Sequence, residues 1–312
     1  MNVRERIGFG FVPTDAPQAL DLIGRAEAAG VGTVWTVMPA LGRDTPTLLA
    51  AAAIQTDRIK LGTAIVPAFT RHPLGLVTQL LTLEDLAPGR IRLGVGTSHQ
   101  RSMIPVYGLP FDRPLAQLRE YVEVLRPALH DGAVSFAGAY YHVDAKLPVA
   151  PKTPVLISAL GENAFELAGE MTDGAITWLC PIDYLDRVGR PALQRGAERA
   201  GRDAPPLVAH VLVAPRVDRD AVRAAARNLL AYYASATFYQ RMFAAAGFPV
   251  GADNAVSDAL IDALVVSGDE QAVVDGLLTR LERAPHELLV SLVPSDDWRT
   301  DHDALFRVLG RL

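Results

Sequence analysis

The residue best suited to proton chemistry is His99, which closes the run Gly94-Val95-Gly96-Thr97-Ser98-His99. Imidazole is the side chain whose unperturbed pKa lies nearest neutrality, so at the mouth of a strand it can donate or accept a proton, or act simply as a hydrogen-bonding rim residue. His72 precedes Pro73 and reads as a residue that caps and orients a helix. The seven histidines are dispersed, with no H-x-H or H-E-x-x-H pair, and the single cysteine, Cys180, excludes an internal disulfide framework and a cysteine-based zinc site. No metal site is expected.

A second candidate is the run Ser158-Ala159-Leu160-Gly161-Glu162-Asn163, which follows an apolar stretch and leads into a helix. Free amides at a helix N-terminus suit a phosphate; the plainer alternative is an ordinary strand-to-helix turn capped by Asn163. Trp35, Met38, Phe69, Leu160 and Trp178 would supply an apolar wall for a flat ring, although a barrel interior contains such residues anyway. The G-V-G-T run at Gly94 to Thr97 lacks the third glycine of a dinucleotide fingerprint and does not follow a first strand. There is no phosphate-binding P-loop and no G-x-S-x-G elbow, so ATPase and esterase readings have no anchor.

These residues need a scaffold that brings distant loops together. Apolar runs at 6–12, 33–37, 59–66, 91–95, 155–159, 175–178, 208–213 and 287–292, those at 59–66 and 91–95 β-branched, alternate with helical patterns. Eight such units in 312 residues predict a single (β/α)8 TIM barrel over 1–312, with every strand ending on one functional rim. Two excursions follow strands four and seven. The first is a helix at 112–130 with a hairpin at 134–143 turning at Gly138. The second, at 218–283, is mostly helical and carries Tyr232, Tyr233, Phe238, Tyr239, Phe243 and Phe248, which would form a lid or substrate wall, or else core packing or a subunit contact.

Net charge of −5 gives no electrostatic footprint for nucleic acid, and no apolar run approaches the roughly 20 residues that span a bilayer. The opening MNVRERIGFG lacks a signal-peptide pattern, so a soluble cytoplasmic protein is expected, with no membrane partner.

The motifs LGTAIVPAFTRHP, LAPGRIRLGVGTSH, YGLPFDRP followed by LREYVEVLRP, and PVLISALGENAFELAGEMTDGAITW occur in this order over nearly the whole chain. In order and spacing the sequence resembles the bacterial luciferase-like superfamily, specifically its deazaflavin (coenzyme F420) dependent oxidoreductase branch. The resemblance implies that the third strand ends in a bulge with a non-prolyl cis peptide at Ala64-Ile65 supporting the back of a cofactor ring, with Gly96, Thr97 and His99 beside the ring or its ribityl chain. It places the amides of Leu160, Gly161 and Glu162 at the cofactor phosphate and Thr177 and Trp178 in the pocket, with Met38 and Phe69 toward the substrate. Relatives that oxidise sugars or alcohols carry a polar pair where this chain has Met38-Pro39. The implied chemistry is therefore hydride transfer from reduced F420 to a C=C, C=N or C=O bond of a small molecule, with His99 or water supplying the proton. Two rivals keep the scaffold: an FMN-dependent monooxygenase, and a non-redox cofactor-binding homologue with a decayed centre. The resemblance also implies a homodimer.

Overall fold

The computed structural model describes residues 2–283, 285–295 and 297–312. Eight parallel strands close into a barrel: β1 (Ile7–Phe11), β2 (Thr33–Thr36), β3 (Lys60–Thr63), β5 (Ile91–Gly96), β8 (Val155–Ser158), β9 (Gly174–Ile176), β10 (Leu207–Ala214) and β12 (Glu287–Leu292). Closure runs through β12 beside β1, Gly8 opposite Leu289, and through β9 beside β10, Ile176 opposite Val208. The remaining strands are β4 (Val66–Pro67), an antiparallel hairpin of β6 (Ala133–Ala137) and β7 (His142–Lys146), and β11 (Val265–Ser267).

Helices return the chain between strands: α1 (Ala16–Ala28), α2 (Thr45–Gln55), α3 (Pro73–Leu86), a short α4 (Gln100–Met103), α5 (Pro114–Asp131), α6 (Glu162–Met171), a short α7 (Ile182–Tyr184), α8 (Arg190–Arg199), α9 (Arg219–Ala234), α10 (Thr237–Ala245), α11 (Asp258–Leu264), α12 (Glu270–Arg283) and the closing α13 (Trp298–Arg311). Their starts carry recognisable local chemistry. Asp15 accepts from the Gln18 amide at the head of α1, Asp44 from Thr47 at α2, and His72 Nδ1 from Leu74 at α3, each helix having proline in its first turn.

Three local details depart from the sequence expectation. The third strand, unbroken over 59–66 by its apolar pattern alone, divides into β3 and β4 where the resemblance implies a bulge. Gly62 pairs with Arg92 and Val66 with Val95, so four steps on one strand face three on the other, and the extra residue makes a bulge at Ala64 and Ile65. The sixth strand ends at Ile176, which frees Thr177 and Trp178 to leave the sheet. Finally, β11 extends the sheet beside the rim end of β10, Leu212 opposite Val265, within a stretch expected to be helical.

The lower barrel is filled around Trp35, which is fully buried. A Cβ at Gly62 would overlap the six-membered ring of Trp35, and one at Gly8 would lie 2.8 Å from its Nε1, so these strand glycines make room for the indole. The Arg92 guanidinium sits 4.6 Å from the Trp35 ring centroid and pairs with Glu287 from the opposite wall. Trp35, expected in the cofactor wall, is thus the plug beneath it.

Candidate functional site

A cavity of about 920 Å³ opens at the C-terminal ends of the strands. Its floor is the bulge after β3. There the Ala64–Ile65 peptide is cis, with Ile176, Leu156 and Val208 packed into the same apolar cluster. Thr63 pins the bulge to its neighbour: its hydroxyl donates to the Gly94 carbonyl at 2.7 Å and accepts from the Gly94 amide at 2.8 Å. A Cβ at Gly94 would run into the Thr63 carbonyl, and one at Gly96 into Ser158 Oγ with Ile65 Cγ1 3.1 Å away. The two glycines of the G-V-G-T run therefore let the bulge approach β5.

Trp178 forms part of the wall and is positioned from behind. The His210 ring stacks on it with centroids 3.7 Å apart and planes 15° off parallel. His210 Nδ1 accepts from the Leu179 amide at 3.3 Å, which leaves Nε2–H to donate to Ser291 Oγ at 2.7 Å. Burial lowers the His210 pKa to about 3, so the ring is neutral in its working range. His210 was missed by sequence reasoning. Its signal was a lone polar residue in the otherwise apolar strand LVAHVLVA, all of it buried.

At another part of the wall, α6 begins at Gly161 with no side-chain cap. The amides of Leu160, Gly161, Glu162 and Asn163 have no acceptor among the described residues. Asn163 does not cap the helix, and the Glu162 carboxylate turns outward to Arg195. Tyr184 Oη donates to the Leu160 carbonyl at 2.9 Å and fixes the loop below the helix.

His99 lies on the cavity wall, with the Tyr239 and Tyr233 rings 6.0 and 6.3 Å from its centroid. Burial, followed by repulsion from the Arg101 guanidinium, lowers its pKa to about 4. Burial also raises the Tyr233 and Tyr239 hydroxyl pKa values, so the cluster is uncharged near neutrality. Arg101 ties this loop to the helical excursion, donating to Tyr232 O and Ser235 Oγ at 2.7 Å each.

The structure thus brings Met38, Ala64, Ile65, Thr97, His99, Leu160, Gly161, Glu162, Thr177 and Trp178 to one cavity. Gly96 and Phe69 fall outside its lining. Gly96 supports it from behind. Phe69 is a correction: the turn after β4 directs its ring into the core, 6.2 Å from Phe111. Among the described residues no cluster of three His, Cys, Asp or Glu side chains is placed to hold a metal ion. Burial pushes the Cys180 thiol up to about 12, far from a nucleophile's range. Among the described residues no helix is long and apolar enough to cross a membrane.

Comparison with known proteins gives this cavity a family context. A 5,10-methylenetetrahydromethanopterin reductase of Archaeoglobus fulgidus is 29% identical over 267 residues, 83% of this chain and 78% of that protein. An F420-dependent glucose-6-phosphate dehydrogenase of Nakamurella multipartita is 36% identical over 164 residues, covering 49% of this chain and 48% of that one. The solved structure of an F420-dependent secondary alcohol dehydrogenase superposes with a TM-score of 0.83 at 23% identity, covering 97% of both chains, and shares the fold. The family model of luciferase-like monooxygenases matches residues 8–287, so the chain belongs to that family.

Proposed function

We propose that the protein is an oxidoreductase that uses reduced coenzyme F420 to deliver a hydride to a C=C, C=N or C=O bond of a small organic substrate. The observation that carries this reading is the division of one cavity into a flat apolar floor, a row of unpaired amides and a face lined by neutral aromatic groups. A tricyclic ring with a phosphate-bearing tail matches that division: Ala64, Ile65 and Trp178 would back the ring, and the amides of residues 160–163 would meet the phosphate. When bound, the coenzyme supplies the hydride.

The chain's own residues orient and shield. His210 holds Trp178, Thr63 holds the bulge, and the rings of α9 and α10 exclude water from the open face. His99 is neutral near pH 7, so it serves as an N–H donor toward charge developing on the substrate, and the proton is drawn from solvent. Met38 and Pro39 stand at the cavity where alcohol oxidation needs a base, which supports reduction as the working direction.

The family description favours a second reading, an FMN-dependent monooxygenase. Fluorescence titration with F420 and FMN side by side separates the two. Tighter binding of F420 together with acceptor-dependent oxidation of its reduced form is expected. Tight FMN retention with substrate-dependent oxygen consumption would replace the first reading by the second, and cofactor binding without turnover of any acceptor would point to a non-redox homologue.

A further inference from the structure

The proposed function leaves the hydride acceptor undefined, and the charges around the cavity narrow its class. Only two lining residues carry a formal charge near neutrality, Glu162 and Arg241, and both are exposed. Glu162 is engaged by Arg195 outside the cavity. Away from the free amides of residues 160–163, which serve the coenzyme end, the His99 face is walled by apolar side chains, hydroxyls and the imidazole, whose polar groups can hydrogen-bond a carbonyl.

An independent observation lies at the mouth. Val12, Leu41, Ile104, Val106, Tyr232 and Phe238 are 44–81% exposed, and all follow strand ends on this rim. They come from distant loops that the fold ties together. Tyr107 Oη donates to the Ala40 carbonyl beside Leu41, Phe111 meets Phe238 at 6.3 Å, and the Arg101 guanidinium lies 3.4 Å from the Tyr232 ring centroid. Val12, Tyr232 and Phe238 also line the cavity, so the collar and the interior share these side chains. Exposed apolar side chains gathered around an opening suit an apolar ligand.

Resting on the oxidoreductase reading, we propose that the acceptor is an uncharged, predominantly apolar molecule whose reacting carbonyl-type end enters beside His99 and whose remainder lies along this rim collar. Anionic acceptors such as sugar phosphates and carboxylates are disfavoured, since the collar is apolar and no cationic side chain among the described lining residues stands on the His99 face.

Calorimetric titration of the F420-loaded protein with 3-hexen-2-one, 3-octen-2-one, 3-decen-2-one and 9-oxodec-7-enoate tests the proposal. Kd should fall about threefold to fourfold for each added methylene. The carboxylate should bind at least tenfold more weakly than the decenone. Combining Ile104→Ser with Phe238→Ser should flatten the step from octenone to decenone, with the melting midpoint confirming a folded protein. The proposal is overturned by tight binding of the carboxylate that Arg241→Gln abolishes, by an unchanged chain-length step in the folded double variant, or by a shift in sedimentation on Ile104→Ser, which would make the collar a subunit contact. Failure to load F420 would instead strike the oxidoreductase reading, and the same titrations on unloaded protein would still test the collar.

Discussion

His99 shows how far a residue's position and its chemistry can part. Its position was legible: a histidine closing a glycine-rich run after a buried strand must stand at the rim. Its protonation was not, because the burial that lowers its pKa comes partly from Tyr233 and Tyr239, more than 130 residues away in sequence. With a pKa near 4 the ring holds no proton to surrender as an imidazolium at pH 7, so its contribution must be a neutral hydrogen bond. Two consequences follow. Turnover should show no His99-dependent break between about pH 5.5 and 8, and His99→Gln, which keeps an N–H donor, should retain far more kcat than His99→Leu. Loss of one such donor typically lowers kcat about 10²-fold to 10³-fold. Steady-state kcat profiles of the three proteins check this. A wild-type inflection near pH 6.5 that vanishes in both variants would show that the imidazole titrates during catalysis instead.

At the scale of elements, the loop before α6 separates stability from binding. Nothing lies within 4 Å of a Cβ added at Gly161, and its φ of −106° suits any residue. Its backbone could therefore carry a better helix cap than glycine. In Gly161→Asp the carboxylate would accept from the free amides of α6, raising stability by a few tenths of a kcal/mol while occupying the place proposed for the coenzyme phosphate. The expected outcome has opposite signs: a slightly higher thermal midpoint and F420 binding weakened at least tenfold, read by differential scanning calorimetry and fluorescence titration. Unchanged coenzyme affinity would remove the phosphate from this helix. Element boundaries were less legible than element existence. Short apolar runs marked all eight barrel strands, yet strands buried on both faces carry no alternation to say which side chains point inward. That is why Trp35 was expected in the site and lies beneath it; Phe69, expected in the pocket, sits in the turn after β4, where no strand pattern sets its direction, and packs on Phe111. The bulge was legible only through the family resemblance and β11 escaped altogether, because one extra residue and a three-residue strand are set by neighbouring strands rather than by local pattern.

Across the whole molecule, the same burial that makes the site neutral should make the fold sensitive to acid. His99, His210, His286 and His302 all have lowered pKa values, with burial the leading cause. In each case the unfolded chain, titrating near 6.5, binds a proton more readily than the folded one. The stability they contribute is therefore complete above pH 6.5 and is lost as pH falls toward the folded values, about 4 for His99 and about 3 for His210. Stabilised carboxylates such as Asp44, Glu170 and Asp262, whose pKa values are lowered, act in the same direction but only at lower pH, since carboxyl groups ordinarily titrate at about 4. Between pH 6 and 5 the histidines dominate. A fully buried histidine that stays neutral in the fold contributes a slope of about 1.4 kcal/mol per pH unit in this window. His210 is 2% exposed and meets that condition. Urea unfolding of wild type and His210→Gln at pH 7, 6 and 5 isolates its share. The glutamine variant should be the less stable protein at pH 7, having lost the stack on Trp178, and should lose stability less steeply by about that slope as the pH falls. Parallel slopes in the two proteins would mean that His210 takes up a proton within the folded barrel, and the hydrogen bond from the Leu179 amide to Nδ1 would have to be abandoned, since an imidazolium has no nitrogen left to accept it.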